Sequence, residues 1–478
     1  MQRNPPKNQQ FIPEVSVRKE HDSIGSLDIP DDCLYGVHTA RALENFGKIG
    51  ERHDLLFVKA YLLVKKAAAL ANAELGFLEK EKAHAIIRAV DEMLTRESIE
   101  DIVVNPISGG AGTSLNMNMN EVIANRALES AGREKGDYGY IHPIDHVNMH
   151  QSTNDTYPSA CKIAMLMHLD KLEDALIKLQ EALQEKERAF TGILRLGRTE
   201  LQDALPITAG MQFAAYAEAI ARDRWRIFKA RERIKVLNIG GTAIGTGFNA
   251  PQKYIFLVIE KLKELTGLAI TRAENMVDAT QNLDAIVEVS GLVKTCAVNL
   301  MKISEDLRLL SSGPSGGIGE VILPARQEGS SIMPGKVNPV MCEFATQISL
   351  LVIAYDNTIA QAAALGNLEL NQFFPLVSYL MLKSMSLLNL ALVKFEDKVV
   401  RGLTLNREKI DANLNESVAI LTYLSQYIGH DAAARIYLIV KSDKRTLKQI
   451  ILDEKIMTGQ QYDELVSPEK IRMMGYKK

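Results

Sequence analysis

A chain of 478 residues, 46% of them hydrophobic, is long enough to bury a large core and to divide into two or three domains. A formal net charge of -3, with Lys and Arg scattered rather than clustered, excludes an electrostatic case for nucleic acid or an anionic membrane. Four distant cysteines (Cys33, Cys161, Cys296, Cys342) form no CxxC pair and fit a reducing, cytoplasmic compartment without disulfides or a cysteine zinc site.

Residues 1–15 are polar, hold three prolines and lack the apolar core of a signal peptide, so they read as a mobile arm. Stretches rich in Ala, Leu, Lys and Glu predict long helices at 55–75, 162–190 and 208–235. The clearest periodicity follows at 282–311. There Ile286, Val289, Val293, Cys296, Leu300, Ile303, Leu307 and Leu310 recur in three- and four-residue steps, the seam of a bundled helix. Leu283, Val287, Ala297 and Met301 add a second apolar face, as expected of a helix packed on more than one neighbour. Further helices are predicted at 343–364 and 376–401, and shorter ones after residue 406. Charged residues break each long apolar run, so no membrane span is expected. The pattern describes a mostly α protein: an N-terminal segment 1–154, a central long-helix bundle 155–405 and a small helical segment 406–478. Helices of this length with spare apolar faces favour a homo-oligomer.

Four polar clusters interrupt this pattern. They are Gly109–Ser114 followed by Asn116, Asn118 and Asn120; Gln151–Asp155; Gly197–Asp203; and the run Gly329-Ser330-Ser331-Ile332-Met333-Pro334-Gly335-Lys336-Val337-Asn338-Pro339. Each is expected to begin or end a helix, where Ser, Thr, Asn and Asp serve as ordinary caps. Hydroxyls, carboxamides and one lysine are also what holds a small dicarboxylate without a metal. The fourth cluster, with 311–319 before it, reads as a loop of about twenty-five residues, long enough to be functional. It is not a phosphate-binding P-loop, because the glycine spacing is wrong and Val337 follows the lysine. Gly240–Gly247 resembles a dinucleotide fingerprint, but reads as a tight turn between helices without a βαβ unit. His142, His146 and His150 are spaced to share a helix face, yet Pro143 and the polar run that follows favour a structural role over zinc. No Gly-x-Ser-x-Gly elbow occurs.

Taken together, these motifs resemble the aspartase/fumarase superfamily, most closely its aspartase branch. The resemblance is carried by 31–45, 109–121, 145–158, 197–208, 241–249 and 306–339, in the family's order. Thr113-Ser114 and Ser152-Thr153-Asn154-Asp155 are similar to the aspartase forms, whereas Met341-Cys342-Glu343 leans toward fumarases. The resemblance implies a three-domain helical fold whose tetramer forms a multi-helix core, with each site shared between subunits. It implies reversible anti-elimination of ammonia from L-aspartate, giving fumarate. Ser330 would be the general base, and Thr113, Ser152, Thr153 and Ser331 would cradle the aci-carboxylate. Lys336 and Asn338, with Thr199 beside them, would hold the α-carboxylate, and Asn154 would meet the amino group. No organic cofactor or metal ligand is implied, and a divalent cation would act only as an activator.

Glu200 departs from the family, where His or Gln stands, and invites pairing with the substrate ammonium. Glu343, the usual partner of that His, would lie close by. Ser425-Gln426-Tyr427 is a second departure, in the C-terminal segment. A fumarate hydratase, or a lyase for a substituted aspartate, is the enzymatic alternative. A non-catalytic scaffold is disfavoured because the site residues are all present.

Overall fold

A computed structural model of the chain describes residues 16–96, 100–443, 445–473 and 475. The arm expected over 1–15 lies outside the described residues. The chain opens with a hairpin of β1 (Val17–Asp22) and β2 (Gly25–Pro30), then α1 (Val37–Phe46), α2 (Leu55–Glu74), α3 (Lys80–Leu94) and α4 (Thr113–Ser130). A π-helical turn at Pro143–Val147 precedes α5 (Thr153–Ala189), which leads to a second hairpin, β3 (Leu194–Thr199) and β4 (Gln202–Thr208). Next come α6 (Ala209–Ile234), β5 (Val236–Leu237), α7 (Gln252–Thr266), β6 (Thr271–Arg272), α8 (Met276–Gln281) and α9 (Asp284–Leu310). Then follow β7 (Val321–Ile322), α10 (Val340–Ala364), α11 (Phe374–Phe395), a π-helical turn at Glu396–Val400, and β8 (Thr404–Leu405). Six short helices close the chain: α12 (Arg407–Glu416), α13 (Ala419–Ile428), α14 (His430–Ser442), α15 (Leu447–Asp453), α16 (Gly459–Leu465) and α17 (Pro468–Ile471).

The chain divides into two units, one of 1–168, 231–290 and 356–383, the other of 169–230, 291–355 and 384–478. In the first, α2 packs on α3 and α7, and α3 packs on α4. Its aromatic core sets Tyr157 edge-on to Phe57 at 5.0 Å and to Phe374 at 5.5 Å, geometries that aromatic quadrupoles favour. Ser290 on α9 donates to Asp356 on α10 at 2.7 Å. In the second unit, Asn299 on α9 donates to Asp223 on α6 at 2.8 Å, and Ser304 to the Cys342 carbonyl on α10 at 3.1 Å. Such buried polar pairs fix the register of neighbouring long helices, because slippage would strand them unpaired. The C-terminal helices bury Ile420, Leu424, Ile436, Ile450 and Ile451 around one another, with Leu196 of β3 among them.

All eight seam residues predicted for α9 are buried, as are Leu283 and Ala297, while Val287 and Met301 are half-buried. The expectation of no sufficiently apolar run is corrected: Phe374–Val400 is long and apolar enough to cross a membrane, with a mean hydropathy of 1.6 over its best window. It is nevertheless a core helix. Val377, Met381, Met385, Leu388, Leu392 and Phe395 recur at helical spacing and are all fully buried.

Three further readings are corrected. Gly197–Asp203 does not end a helix; it is the turn of the β3–β4 hairpin. His142, His146 and His150 do not share a regular helix face. His142 caps the π-helical turn by accepting from the Ile144 and Asp145 amides, and His150 has left-handed φ of 60°. A minimal βαβ unit does surround Gly240–Gly247, since β5 and β6 pair in parallel with α7 between them. It is no dinucleotide cradle, because the Gly240 and Thr242 amides are already bonded to the buried Asp155 carboxylate.

Candidate active site

The residues singled out in the sequence fall into two groups, one in each unit: Thr113, Ser152, Thr153 and Asn154 in the first, and Thr199, Glu200, Ser330, Ser331, Lys336 and Asn338 in the second.

In the first unit, Thr113 is the first residue of α4, exposed, and its hydroxyl donates to the Gly110 carbonyl at 2.8 Å. The glycine before it is obligatory: a Cβ on Gly112 would lie 2.3 Å from the Tyr157 ring. Ser152 caps α5. Its hydroxyl accepts from the Asn154 amide at 3.2 Å, while the Asp155 carboxylate accepts from the Ser152 amide at 3.0 Å, a reciprocal cap. Asn154 donates through Nδ2 to the Ala243 carbonyl at 2.8 Å. Pro158, four residues on, has no N–H to offer the Asn154 carbonyl, and Asn238 Nδ2 supplies that bond at 2.9 Å.

Ser152 and Thr153 line a cavity of about 690 Å³ together with Asn116, Asn148, Gln151, His150, Thr242 and Ala243; Thr113 and Asn154 are not in its wall. Behind it lies Lys65, fully buried, which donates to Asn116 Oδ1 at 2.7 Å, Asn148 Oδ1 at 2.9 Å and Gln151 Oε1 at 3.0 Å. Burial pushes the Lys65 ammonium down to about 7, with the Asp155 charge opposing the shift. Burial pushes the Asp155 carboxyl up to about 7, against its three backbone hydrogen bonds and the charge of Lys65. Sequence reasoning missed Lys65, since a lysine in a helix is ordinarily solvated. The signal was its register: it sits four residues after Tyr61 and three before Ala68, both fully buried.

In the second unit, the β3–β4 hairpin carries Thr199 and Glu200 into the wall of a cavity of about 740 Å³ with Arg195, Arg198, Gln212, Tyr216, Lys302 and Asp306. Glu320 anchors the hairpin by accepting from Arg195 at 3.0 Å, Arg198 at 2.7 Å and Asn413 at 2.9 Å. Burial raises the Glu320 carboxyl, but the bonds from Arg198 and Asn413 and the two guanidinium charges prevail and hold it below the usual range. Glu200 and Leu201 form the tip, with left-handed φ of 52° and 63°. Glu343, expected near Glu200, lies in the first turn of α10 and is not in this cavity's wall.

The loop from α9 to α10 is irregular over 311–339 apart from β7, as its composition predicts. Its last part closes on itself. The Gly329 amide donates to the Lys336 carbonyl at 2.7 Å, and Asn338 Nδ2 donates to the Gly329 carbonyl at 3.0 Å. A Cβ on Gly329 would stand 2.8 Å from that Lys336 oxygen. Inside this clasp Ser330 Oγ accepts from the Ile332 amide at 3.2 Å and the Met333 amide at 3.0 Å. Two N–H dipoles aimed at one hydroxyl oxygen favour the negative charge it acquires on losing its proton. Ser331 and Lys336 are exposed beside it. Ser330 does not line the cavity that holds Thr199 and Glu200; of its loop, Ile318 reaches that wall. Among the described residues no three His, Cys, Asp or Glu side chains gather where they could hold a metal ion.

Residues 25–354 match the family described as lyase, and residues 420–473 match the fumarase C C-terminus. The chain is 42% identical to an aspartate ammonia-lyase of a Bacillus species over 96% of its own length and 98% of that relative's. Among solved structures, it superposes with a TM-score of 0.90 on a fumarate lyase:delta crystallin from Brucella melitensis bound to cobalt. That chain is 42% identical, with 96% of this chain and 99% of that one covered. A class II fumarase from Schistosoma mansoni gives a TM-score of 0.88 at 33% identity, covering 95% and 98%. The hydroxyl-rich α5 cap, the hairpin with Thr199 and the clasped Ser330 loop are thus carried on a shared fold, and the chain belongs to the aspartase/fumarase superfamily of lyases, in its aspartate ammonia-lyase branch.

Proposed function

We propose that this chain is an aspartate ammonia-lyase, which reversibly eliminates ammonia from L-aspartate to give fumarate. The observation that carries the mechanism is the Ser330 hydroxyl, held by the amides of Ile332 and Met333. A neutral serine is a weak base; stabilising its alkoxide makes proton removal from the carbon beside the β-carboxylate feasible. The electron pair moves into that carboxylate, forming the dianionic aci-carboxylate. Ser152, Thr153 and Ser331 donate hydrogen bonds to it, as donors do in an oxyanion hole, and Thr113 joins them by turning its hydroxyl away from the Gly110 carbonyl. Lys336 and Asn338, with Thr199, hold the α-carboxylate. Asn154, whose Nδ2 is bonded to Ala243, presents Oδ1 to the ammonium. Expulsion of ammonia from the opposite face then collapses the intermediate to fumarate. Glu200 pairs with the ammonium and favours an amine over a hydroxyl leaving group.

The reaction proposed uses no organic cofactor, and no step runs through a metal ion; a divalent cation would act as an activator. A site assembled from several subunits of a homotetramer is what the superfamily resemblance implies. The apolar residues left exposed on long helices support it as well: Trp225 and Phe228 on α6, Val298 and Leu309 on α9, Leu350 and Leu351 on α10. Across the two units we propose domains of 1–154, 155–405 and 406–478, the last boundary supported by the core that the C-terminal helices bury around one another, with Leu196 of β3. Free thiols at all four cysteines support a cytoplasmic location. The test is fumarate absorbance with purified protein given L-aspartate, then L-malate. Turnover of aspartate is expected to dominate; faster turnover of malate would make the chain a fumarate hydratase.

A further inference from the structure

Two of the three chain segments that line the first unit's cavity, 144–153 and 242–249, meet at one buried carboxylate, and α4 supplies Asn116 and Met117. Asp155 is fully buried, and its two oxygens have different tasks. Oδ1 accepts from the Ser152 amide at 3.0 Å, and Oδ2 accepts from the Gly240 amide at 3.1 Å and the Thr242 amide at 3.0 Å. The first bond shapes the turn that presents Ser152, Thr153 and Asn154. The other two tie that turn to the glycine-rich loop before α7, where Thr242 is held at a left-handed φ of 57° and donates through its hydroxyl to the Phe248 carbonyl at 2.8 Å. Thr242, Ala243, Phe248 and Asn249 face the same cavity as Ser152 and Thr153.

We propose that Asp155 is a positioning residue for the elimination, clamping the Ser152–Asn154 turn and the Gly240–Phe248 loop into one rigid wall. The inference rests on the reading above that Ser152 and Thr153 donate to the substrate carboxylate. A carboxyl group suits the clamp, because all three partners are donors and both of its oxygens accept. A carboxamide would set an N–H against at least one of them, and a buried donor facing a donor forces the backbone apart. The second buried charge, Lys65, faces the opposite side of the wall, where it holds the oxygens of Asn116, Asn148 and Gln151. Its charge, acting through space, favours the ionised form of Asp155.

The experiment compares the wild type with Asp155→Asn by steady-state kinetics on L-aspartate, thermal unfolding and amide hydrogen exchange. A shift of about 1 Å in positioned donors lowers turnover about a hundredfold. D155N is therefore expected to lose kcat by about that factor in protein that remains folded, with a smaller change in KM, and to lose exchange protection at the Ser152 amide, which the new N–H faces when the amide oxygen keeps Gly240 and Thr242. A folded variant with wild-type kcat, whatever its melting temperature, would overturn the proposal. If D155N does not accumulate folded, the wild type decides. Ser152, Gly240 and Thr242 amides exchanging as one cooperative unit support the clamp, and independent exchange rejects it. A wild type inactive on aspartate would defeat the functional reading, while the exchange data would still decide whether the clamp exists.

Discussion

At the scale of single residues, Ser330 is the side chain on which the chemistry turns. Ser330→Ala removes the base but leaves the Gly329–Lys336 clasp intact. Turnover of L-aspartate is expected to fall by about 10² to 10⁴, the range for loss of a general base, with an unchanged melting curve. Glu200→Gln keeps the hydrogen-bonding shape and removes the charge. It should lower kcat/KM for aspartate about tenfold, roughly 1.4 kcal/mol, and leave malate unaffected; unchanged aspartate kinetics would remove Glu200 from the mechanism. His53 reports on acid stability. Its Nε2 is sealed from solvent without a hydrogen-bond partner, and burial pulls the ring down to about 4 from 6.5. The unfolded chain therefore binds this proton more readily. Stability from the neutral ring is complete above pH 6.5 and declines as pH falls toward 4. Urea midpoints measured across that window should drop, and should drop less in His53→Phe.

At the scale of elements, the β3–β4 hairpin is held by the one buried carboxylate that joins Arg195, Arg198 and Asn413. Breaking a buried ion pair from one side costs about 3 to 5 kcal/mol. Glu320→Gln should lower stability by about 3 kcal/mol and also reduce kcat, because the strand it releases carries Thr199. Chemical denaturation and kinetics on the same sample check both. The helices were the legible part of the sequence, since α9 is set by a three-four repeat that eight residues obey. The hairpin was not: Gly197–Asp203 has the composition of a helix cap, and only pairing with β4 makes it a turn. The cap at Ser152 was legible from its own residues. Its tether to Gly240 and Thr242 was not, because it joins positions more than eighty apart. Lys65 was hidden for the converse reason: its own residue type reads as solvated, and only its register with Tyr61 and Ala68 points inward.

At the scale of the whole molecule, the candidate side chains lie in two units, and a tetramer is proposed to complete the site. Activity should then depend on protein concentration. Specific activity measured across a dilution series, alongside mass photometry, is expected to fall in step with loss of the tetramer; a fully active monomer would contradict the shared site. The apolar side chains exposed on α6, α9 and α10 are the surface on which the proposed assembly would form.

The tip of the hairpin carries a further lesson about how such a protein changes over time. Glu200 and Leu201 both adopt the backbone geometry that a two-residue turn reserves for asparagine and glycine. A sequence chosen for folding alone would drift toward Asn-Gly here and become sturdier, losing the carboxylate that faces the cavity. The dipeptide is therefore where a redesigned lyase is expected to trade one property for the other, Asn-Gly giving the sturdier turn and Glu-Leu keeping the carboxylate.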